Sequence, residues 1–185
     1  MRRKRRTRKR RIWYPGATYH VTSRGIRRSV ICTDKKDFNI FMMVLKSTME
    51  KMPFQLHCFC MMTNHLHLLL TTEETNIGRI MCRILGNYAR NFNERYGYKG
   101  HLFEERYASG LIKTNEHLLE VSRYIHMNPV KAGIVDKPED YPYSSYPFYV
   151  SDTETPLLEK KIILDNFGGN SINYYKDYVE SDICV

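Results

Sequence analysis

Long apolar runs and paired cysteines are missing from this sequence, and each absence excludes a class of protein. No apolar stretch approaches the length of a membrane-spanning helix, and the basic start is followed by Ile-Trp-Tyr-Pro-Gly instead of a signal-peptide core. The five cysteines are odd in number and form no C-x-x-C pair, as is typical of reduced thiols in the cytosol. We therefore expect a cytoplasmic protein with no membrane partner.

Acidic residues are absent from residues 1–11, which hold nine of the 29 basic residues of the chain. The other 20 basic residues balance the 20 acidic ones, so the net charge of +9 belongs to this segment. Like charges in such number cannot pack, so we predict a disordered basic arm over residues 1–13. Such clusters bind phosphate backbones without reading sequence, although contact with an anionic membrane or improved solubility are alternatives. The predicted DNA-binding residues of the arm are Arg2, Arg3, Lys4, Arg5 and Arg6.

Hydrophobic periodicity between residues 14 and 130 alternates between the spacings of strands and helices. The predicted strands span residues 19–25, 54–61, 65–72 and 108–114, and the predicted helices span residues 34–52, 76–96 and 115–128. Pro129 is expected to end the last of these helices. This order is typical of an α+β fold in which helices cover one face of an antiparallel β-sheet, the ferredoxin-like or split βαβ arrangement. The other face would remain free for a substrate.

Two histidines flank one leucine in the third predicted strand, in the run Thr-Asn-His-Leu-His-Leu-Leu-Leu at residues 63–70. His65 and His67 would point to one face of the strand while Leu66 and Leu68 point to the other. Neutral imidazoles bind divalent metals, so this pair would form half of a metal site, and oxygen ligands must come from elsewhere. A polar stripe on a half-buried strand is the alternative interpretation.

A second group of polar residues lies in the run Arg-Tyr-Ile-His-Met-Asn-Pro at residues 123–129. Tyr124 and Asn128 are four residues apart, so both project from the same face of the predicted helix. A phenol, with an ordinary pKa of about 10, is a weak nucleophile, but a metal that polarises a neighbouring phosphate makes the phosphorus electrophilic. Tyr124 could then form a phosphotyrosine ester with DNA. The alternative is that Tyr124 only packs.

Several runs together resemble the single-tyrosine HUH transposases, which are named for a His-hydrophobic-His motif. The runs are residues 63–70, Tyr-Ile-His-Met-Asn-Pro-Val-Lys-Ala-Gly (124–133), Tyr-Pro-Tyr-Ser-Ser-Tyr (141–146), Tyr-His-Val-Thr-Ser-Arg-Gly (19–25) and Gly-His-Leu-Phe-Glu-Glu-Arg-Tyr (100–107). Within that superfamily the chain is most similar to the REP-associated tyrosine transposases. The resemblance covers residues 14–150, the predicted catalytic domain, and leaves residues 151–185 as a C-terminal extension with a short helix.

The resemblance implies a metal-dependent endonuclease and strand transferase that acts in DNA transposition and recombination at the nucleoid. His65 and His67 would ligate Mg²⁺ or Mn²⁺, and Asn128 would supply a third ligand through its oxygen. Tyr124 would be the nucleophile, giving a 5′-phosphotyrosine link and a free 3′-OH. The partner would be single-stranded DNA folded into hairpins, as in repetitive extragenic palindromic (REP) elements. Whether the tyrosine helix completes the site of its own chain or that of a partner in a homodimer is left open.

Arginines outside the basic arm are further candidates for contacts with DNA phosphates. They lie at the end of the first predicted strand, just after it, or on the second predicted helix, and they are Arg24, Arg27, Arg28, Arg79 and Arg83. A metal-dependent nuclease that activates water, or a non-catalytic regulator that only binds hairpins, are the alternative functions.

Two further pairs of residues are of interest because of their chemistry. Glu104 and Glu105 are weaker candidates for a carboxylate there. His57 and His126 are interpreted as structural histidines.

Overall fold

The computed structural model describes residues 12–151, 153 and 155–181. The predicted DNA-binding residues of the basic arm therefore lie outside the described residues. Within the described ranges, no helix is both long enough and apolar enough to cross a membrane.

Among the described residues, four antiparallel strands form one sheet. They are β1 (Thr18–Arg24), β2 (Phe54–Met61), β3 (His65–Thr72) and β4 (Ala108–Leu111), and they lie side by side in the order β2-β3-β1-β4. The strand with the two histidines is therefore a central one. In the register of β1 against β3, Arg24 lies opposite His65 and Thr22 lies opposite His67.

Six α-helices accompany the sheet in the part of the chain that the structure describes. They are α1 (Lys35–Lys51), α2 (Ile77–Tyr96), α3 (Asn115–Lys131), α4 (Tyr146–Val150), α5 (Lys161–Leu164) and α6 (Ser171–Glu180). Asp34, Asn76 and Thr114 cap the first three helices by accepting hydrogen bonds from backbone N–H groups of the first turn. Gly97 ends α2 in the left-handed conformation, which glycine adopts without strain.

The alternation of side chains along β3 divides the interior into two cores. Leu66, Leu68 and Leu70 are fully buried in the core that α1 and α2 form on one face. Leu69 points to the opposite face and belongs to a second core with residues of α3, α4 and α6. Each fully buried leucine stabilises the fold by roughly 1.5–3 kcal/mol, so the alternation fixes the register of the strand.

The predicted α+β class with an antiparallel sheet is confirmed. Helices α1 and α2 cover one face, as expected. The second face is not free over its whole width, because α3 packs across β2 and β3. The part of this face near β1 and β4 stays open, and the histidines of β3 lie at its border.

Two local expectations differ from the structure at the C-terminal side. Pro129 does not end α3, because it lies in the last turn and the helix runs on to Lys131. The helix closes when the N–H of Ala132 donates to the carbonyl of Asn128, a bond that a proline three residues earlier does not remove. The extension holds α6 as well as the short α5, and the Nε of Arg123 on α3 donates to the carbonyl of Tyr178 on α6 at 2.9 Å.

Candidate active site

A cleft of about 440 Å³ opens on the uncovered part of the second sheet face. Its floor comes from β1, β3 and β4, one wall from α3 and another from the loop before β4. The lining residues are Thr22, Ser23, Arg24, His65, His67, Glu104, Glu105, Arg106, Ala108 and Tyr124. The structure therefore brings the two predicted groups of site residues, which are about sixty positions apart, to one place.

His65 and His67 project into this cleft from alternate positions of β3, with ring centroids 5.0 Å apart. The Nδ1 of His65 lies 2.7 Å from the side-chain oxygen of Asn64, so Nδ1 is the nitrogen that carries the proton and Nε2 keeps its lone pair. Nε2 in turn lies 3.4 Å from Oδ1 of Asn128. The amide of Asn128 is oriented by its Nδ2, which donates to the carbonyl of Tyr124 at 3.1 Å.

The lone pairs of these residues fit a bound cation. Nε2 of His65 and Oδ1 of Asn128 are two acceptors that face each other, and Nε2 of His67 is buried without a hydrogen-bond partner among the described residues. Two imidazole nitrogens and one amide oxygen are a donor set suited to a divalent cation. The described ranges hold no cluster of three or more His, Cys, Asp or Glu side chains suited to a metal, and the oxygen that faces Nε2 of His65 is that of the Asn128 amide.

Both histidines are held in the neutral form that ligates metals. Burial, with smaller contributions from His20, His65 and Arg24, lowers the pKa of His67 to about 3. Burial also lowers the pKa of His65, and the amide oxygen of Asn128 acts in the opposite direction, because it would accept a hydrogen bond from the protonated ring. Both imidazoles are therefore neutral at physiological pH.

Tyr124 lies beside this set, on the face of α3 that looks into the cleft. Its ring centroid is 5.4 Å from that of His67, and 42% of the residue remains exposed. The Nζ of Lys131, two turns along the helix, lies 5.5 Å from the centroid of the tyrosine ring. The phenol is therefore accessible to a phosphate in the cleft, and a cation stands close to it.

The predicted arginines divide into two groups. Arg24 lines the cleft, and Arg27 and Arg28 follow it in a short turn where both have a positive φ. Arg79 and Arg83 lie on α2, which covers the opposite face of the sheet, and they do not line the cleft.

Glycine at position 25 is required for the turn that carries Arg27 and Arg28. A Cβ at Gly25 would come within 2.2 Å of the carbonyl oxygen of Ser29. Any other residue would force this turn apart, so the placement of both arginines depends on the glycine.

Two residues of the site were not predicted from the sequence. Arg106 lines the cleft next to Glu104 and Glu105. His20 lies on β1 and its Nε2 is 3.1 Å from Nδ1 of His67. In the sequence, His20 is recognisable only by its place in the run Tyr-His-Val-Thr, two residues before Thr22 and therefore on the same face of the strand. Its contact with His67 depends on how the strands pair, which the sequence does not show.

Residues 14–128 match the family described as IS200-like transposase, and because this match covers more than half of the chain, the chain belongs to that family. This makes it a DNA-processing enzyme of the transposase class.

Within the class it is similar to the REP-associated tyrosine transposases. A protein of Haemophilus influenzae that bears this name is 31% identical over 120 residues, covering 58% of this chain and 68% of the relative. A solved REP-associated tyrosine transposase bound to a REP hairpin has the same fold, with a TM-score of 0.68 and 20% identity over 83% of this chain and 97% of the other. The resemblance that the sequence motifs indicated is confirmed.

Proposed function

We propose that this chain cuts single-stranded DNA at hairpin sites and transfers the cut strand through a covalent bond to Tyr124. The observation that carries the proposal is that Tyr124 lies beside His67, where Nε2 of His65 faces Oδ1 of Asn128 and Nε2 of His67 is buried without a partner among the described residues. His65, His67 and Asn128 would hold Mg²⁺ or Mn²⁺. The bound cation would polarise the scissile phosphate and stabilise the charge that develops in the transition state.

The chain's own residues supply the nucleophile. The phenolic oxygen of Tyr124 loses its proton to solvent and attacks the phosphorus, while the bond from phosphorus to the 3′ oxygen breaks and that oxygen takes up a proton. One strand then ends in a free 3′-OH and the other is held as a 5′-phosphotyrosine ester. The ester retains the energy of the bond, so attack by a second 3′-OH joins a new strand and restores the tyrosine.

Charges around the cleft support DNA as the substrate. Arg24 and Arg106 line the cleft together with Glu104 and Glu105, and Lys131 lies over the ring of Tyr124, so cations stand where phosphates of the bound strand would pass. The solved relative of the same fold is bound to a REP hairpin, which favours a hairpin here as well. The basic arm at residues 1–13 would add contacts with the phosphate backbone that do not depend on sequence.

All the proposed groups come together within a single copy of the chain. Tyr124 on α3 faces His67 on β3 of the same molecule. This contact supports assembly of the proposed site in cis, with the tyrosine helix of the same chain. The homodimer stays a prediction.

The test is formation of the covalent adduct. Fluorescent single-stranded hairpins are incubated with the full chain and Mn²⁺ or EDTA, and the products are resolved on a denaturing protein gel. We expect a labelled protein band that needs the metal and that Tyr124→Phe abolishes. Tyr174→Phe, at a tyrosine that is 54% exposed on α6, is the matched control and should form the band normally.

Other outcomes of this experiment distinguish the alternatives. Cutting that needs the metal but survives in Tyr124→Phe without a labelled band would identify a nuclease that activates water. Hairpin binding without cutting in any condition would identify a regulator. Either result contradicts the proposed role of Tyr124.

A further inference from the structure

His20 contacts His67, one of the proposed metal ligands, but has no part in the function proposed above. Its Nε2 lies 3.1 Å from Nδ1 of His67, and the two rings stack with centroids 5.3 Å apart and an angle of 22° between their planes. Its ring also meets the edge of the Tyr124 ring at 5.8 Å. His20 therefore lies between the sheet floor and the proposed nucleophile, directly behind His67.

Strand pairing explains this contact. His20 lies opposite Leu69 of β3, so His67 is its diagonal neighbour on the same face of the sheet. Diagonal side chains in antiparallel strands are far enough apart that only long or aromatic side chains reach each other. On its other side His20 lies opposite Gly110 of β4, which offers no side chain to compete for the ring.

The hydrogen bond between the two rings contains one proton, and its position decides what His67 offers to the cleft. If Nδ1 of His67 donates, its Nε2 carries a lone pair and binds a cation. If instead Nε2 of His20 donates, His67 must carry its own proton on Nε2, and that N–H would point into the ligand set. Only the first arrangement is compatible with a bound metal.

We propose that His20 is a positioning residue that accepts the hydrogen bond from Nδ1–H of His67 and so fixes the tautomer and ring orientation of that ligand. The inference rests on the proposed function, because it assumes that His67 binds the metal. Residues that bond to the far nitrogen of a ligating histidine hold the ring in place and raise its basicity. Loss of such a partner costs roughly 10–100-fold in metal affinity.

The first experiment measures Mn²⁺ affinity by electron paramagnetic resonance with the full chain in the absence of DNA. His20→Phe keeps a ring of similar size but has no acceptor, and we expect its affinity to fall by roughly 10–100-fold. His20→Gln places an amide oxygen where it can accept the bond, and we expect most of the affinity to return. His101→Gln, at an exposed histidine outside the cleft, is the matched control and should bind like the wild type.

A second measurement reports the tautomer without any metal. Long-range ¹H–¹⁵N spectra of the apoprotein should show His67 protonated on Nδ1 in the wild type and in His20→Gln, but not uniformly so in His20→Phe. If His67 keeps the same tautomer in His20→Phe and that variant binds Mn²⁺ like the wild type, the inference is wrong. Equal losses in His20→Phe and His20→Gln would also overturn it, because ring packing and not the hydrogen bond would be responsible.

The two proposals fail in different ways. If the wild type binds no Mn²⁺ but His67 shows the tautomer described above, the proposed metal function fails and the positioning of His67 by His20 stands as a structural fact. If the wild type binds Mn²⁺ and His20→Phe does so equally well, the proposed function stands and the role of His20 falls.

Discussion

Burial does not distinguish two structural histidines, His57 and His126, from His67, but their hydrogen bonds do. His57 and His126 are both 0% exposed, and His67 is 4% exposed. Burial lowers the pKa of all three. In His126 both nitrogens have partners, since Nε2 lies 2.7 Å from Oγ of Ser145 and Nδ1 lies 2.8 Å from the hydroxyl of Tyr175.

The second structural histidine follows the same pattern. Nδ1 of His57 lies 2.8 Å from the carbonyl of Glu159, and Nε2 lies 2.7 Å from Oγ1 of Thr71. Among the described residues His67 has one hydrogen-bond partner, His20, and its buried Nε2 has none. Buried polar atoms normally find a partner, and in the proposed function a bound cation would fill this place at Nε2 of His67. Neither burial nor a lowered pKa would have separated the groups.

The comparison is tested most strongly by replacing His67 with alanine. A direct ligand should matter more than the residue behind it, so His67→Ala should weaken Mn²⁺ binding by more than the roughly 100-fold upper range expected for an outer partner. The covalent adduct with hairpin DNA should disappear with it. Loss of the buried ring leaves Nε2 of His20 without its partner, so the free energy of unfolding should fall, but by less than in His126→Ala, which leaves two groups unpaired. A strongly destabilised His67→Ala protein would place His67 with the structural histidines.

The opposite result is expected for His126→Ala. Removal of this ring leaves Ser145 and Tyr175 without their partner in a closed core, and each unpaired group costs about 1–3 kcal/mol. We expect the free energy of unfolding, measured in urea, to fall by about 2–4 kcal/mol. Mn²⁺ affinity, measured on the folded fraction, should stay near that of the wild type. A loss of Mn²⁺ binding as large as that of His67→Ala would break the distinction between the two groups.

The sequence was sufficient for the parts of the site that depend on local spacing. Alternation along β3 placed His65 and His67 on one face, and a separation of four residues placed Tyr124 and Asn128 on one face of α3. The bounds of β2 and β3 were also predicted correctly, because apolar side chains and the turn between them are local signals.

The rest of the site depends on contacts between distant segments. His20 and His67 are 47 residues apart along the chain, and they come into contact only because β1 pairs with β3 in one particular register. The position of Arg79 and Arg83 could not be predicted from α2 alone, because the packing of α1 and α2 decides which face of the sheet that helix covers. A single sequence carries no direct signal for either.

The pH dependence of stability should sharpen the same comparison. Burial lowers the pKa of His126 to about 3, below the value of about 6.5 in the unfolded chain. The unfolded state therefore binds more protons between these values, so the stability is complete above about pH 6.5 and is lost as the pH falls toward 3. One such histidine contributes up to about 1.4 kcal/mol per pH unit. Urea unfolding at pH 7 and pH 5 should show a shallower dependence in His126→Phe than in the wild type, and an unchanged slope would mean that His126 is not held neutral.

The smallest expected effect is a change in the salt dependence of DNA binding. The comparison here is between two arginines that differ in where they lie in the fold. Arg24 lines the cleft, whereas Arg79 lies on α2 against the opposite face. If Arg24 binds a phosphate of the hairpin, Arg24→Gln should reduce the dependence of log affinity on log salt concentration by roughly one unit, since each neutralised phosphate contributes about 0.7–0.9. Arg79→Gln removes the same charge from the chain but should leave this slope as it is. Fluorescence anisotropy with one hairpin in EDTA, over a range of salt concentrations, measures both variants without cleavage. Equal slopes in the two variants would mean that only the overall charge matters, and the DNA would then not follow the cleft past Arg24.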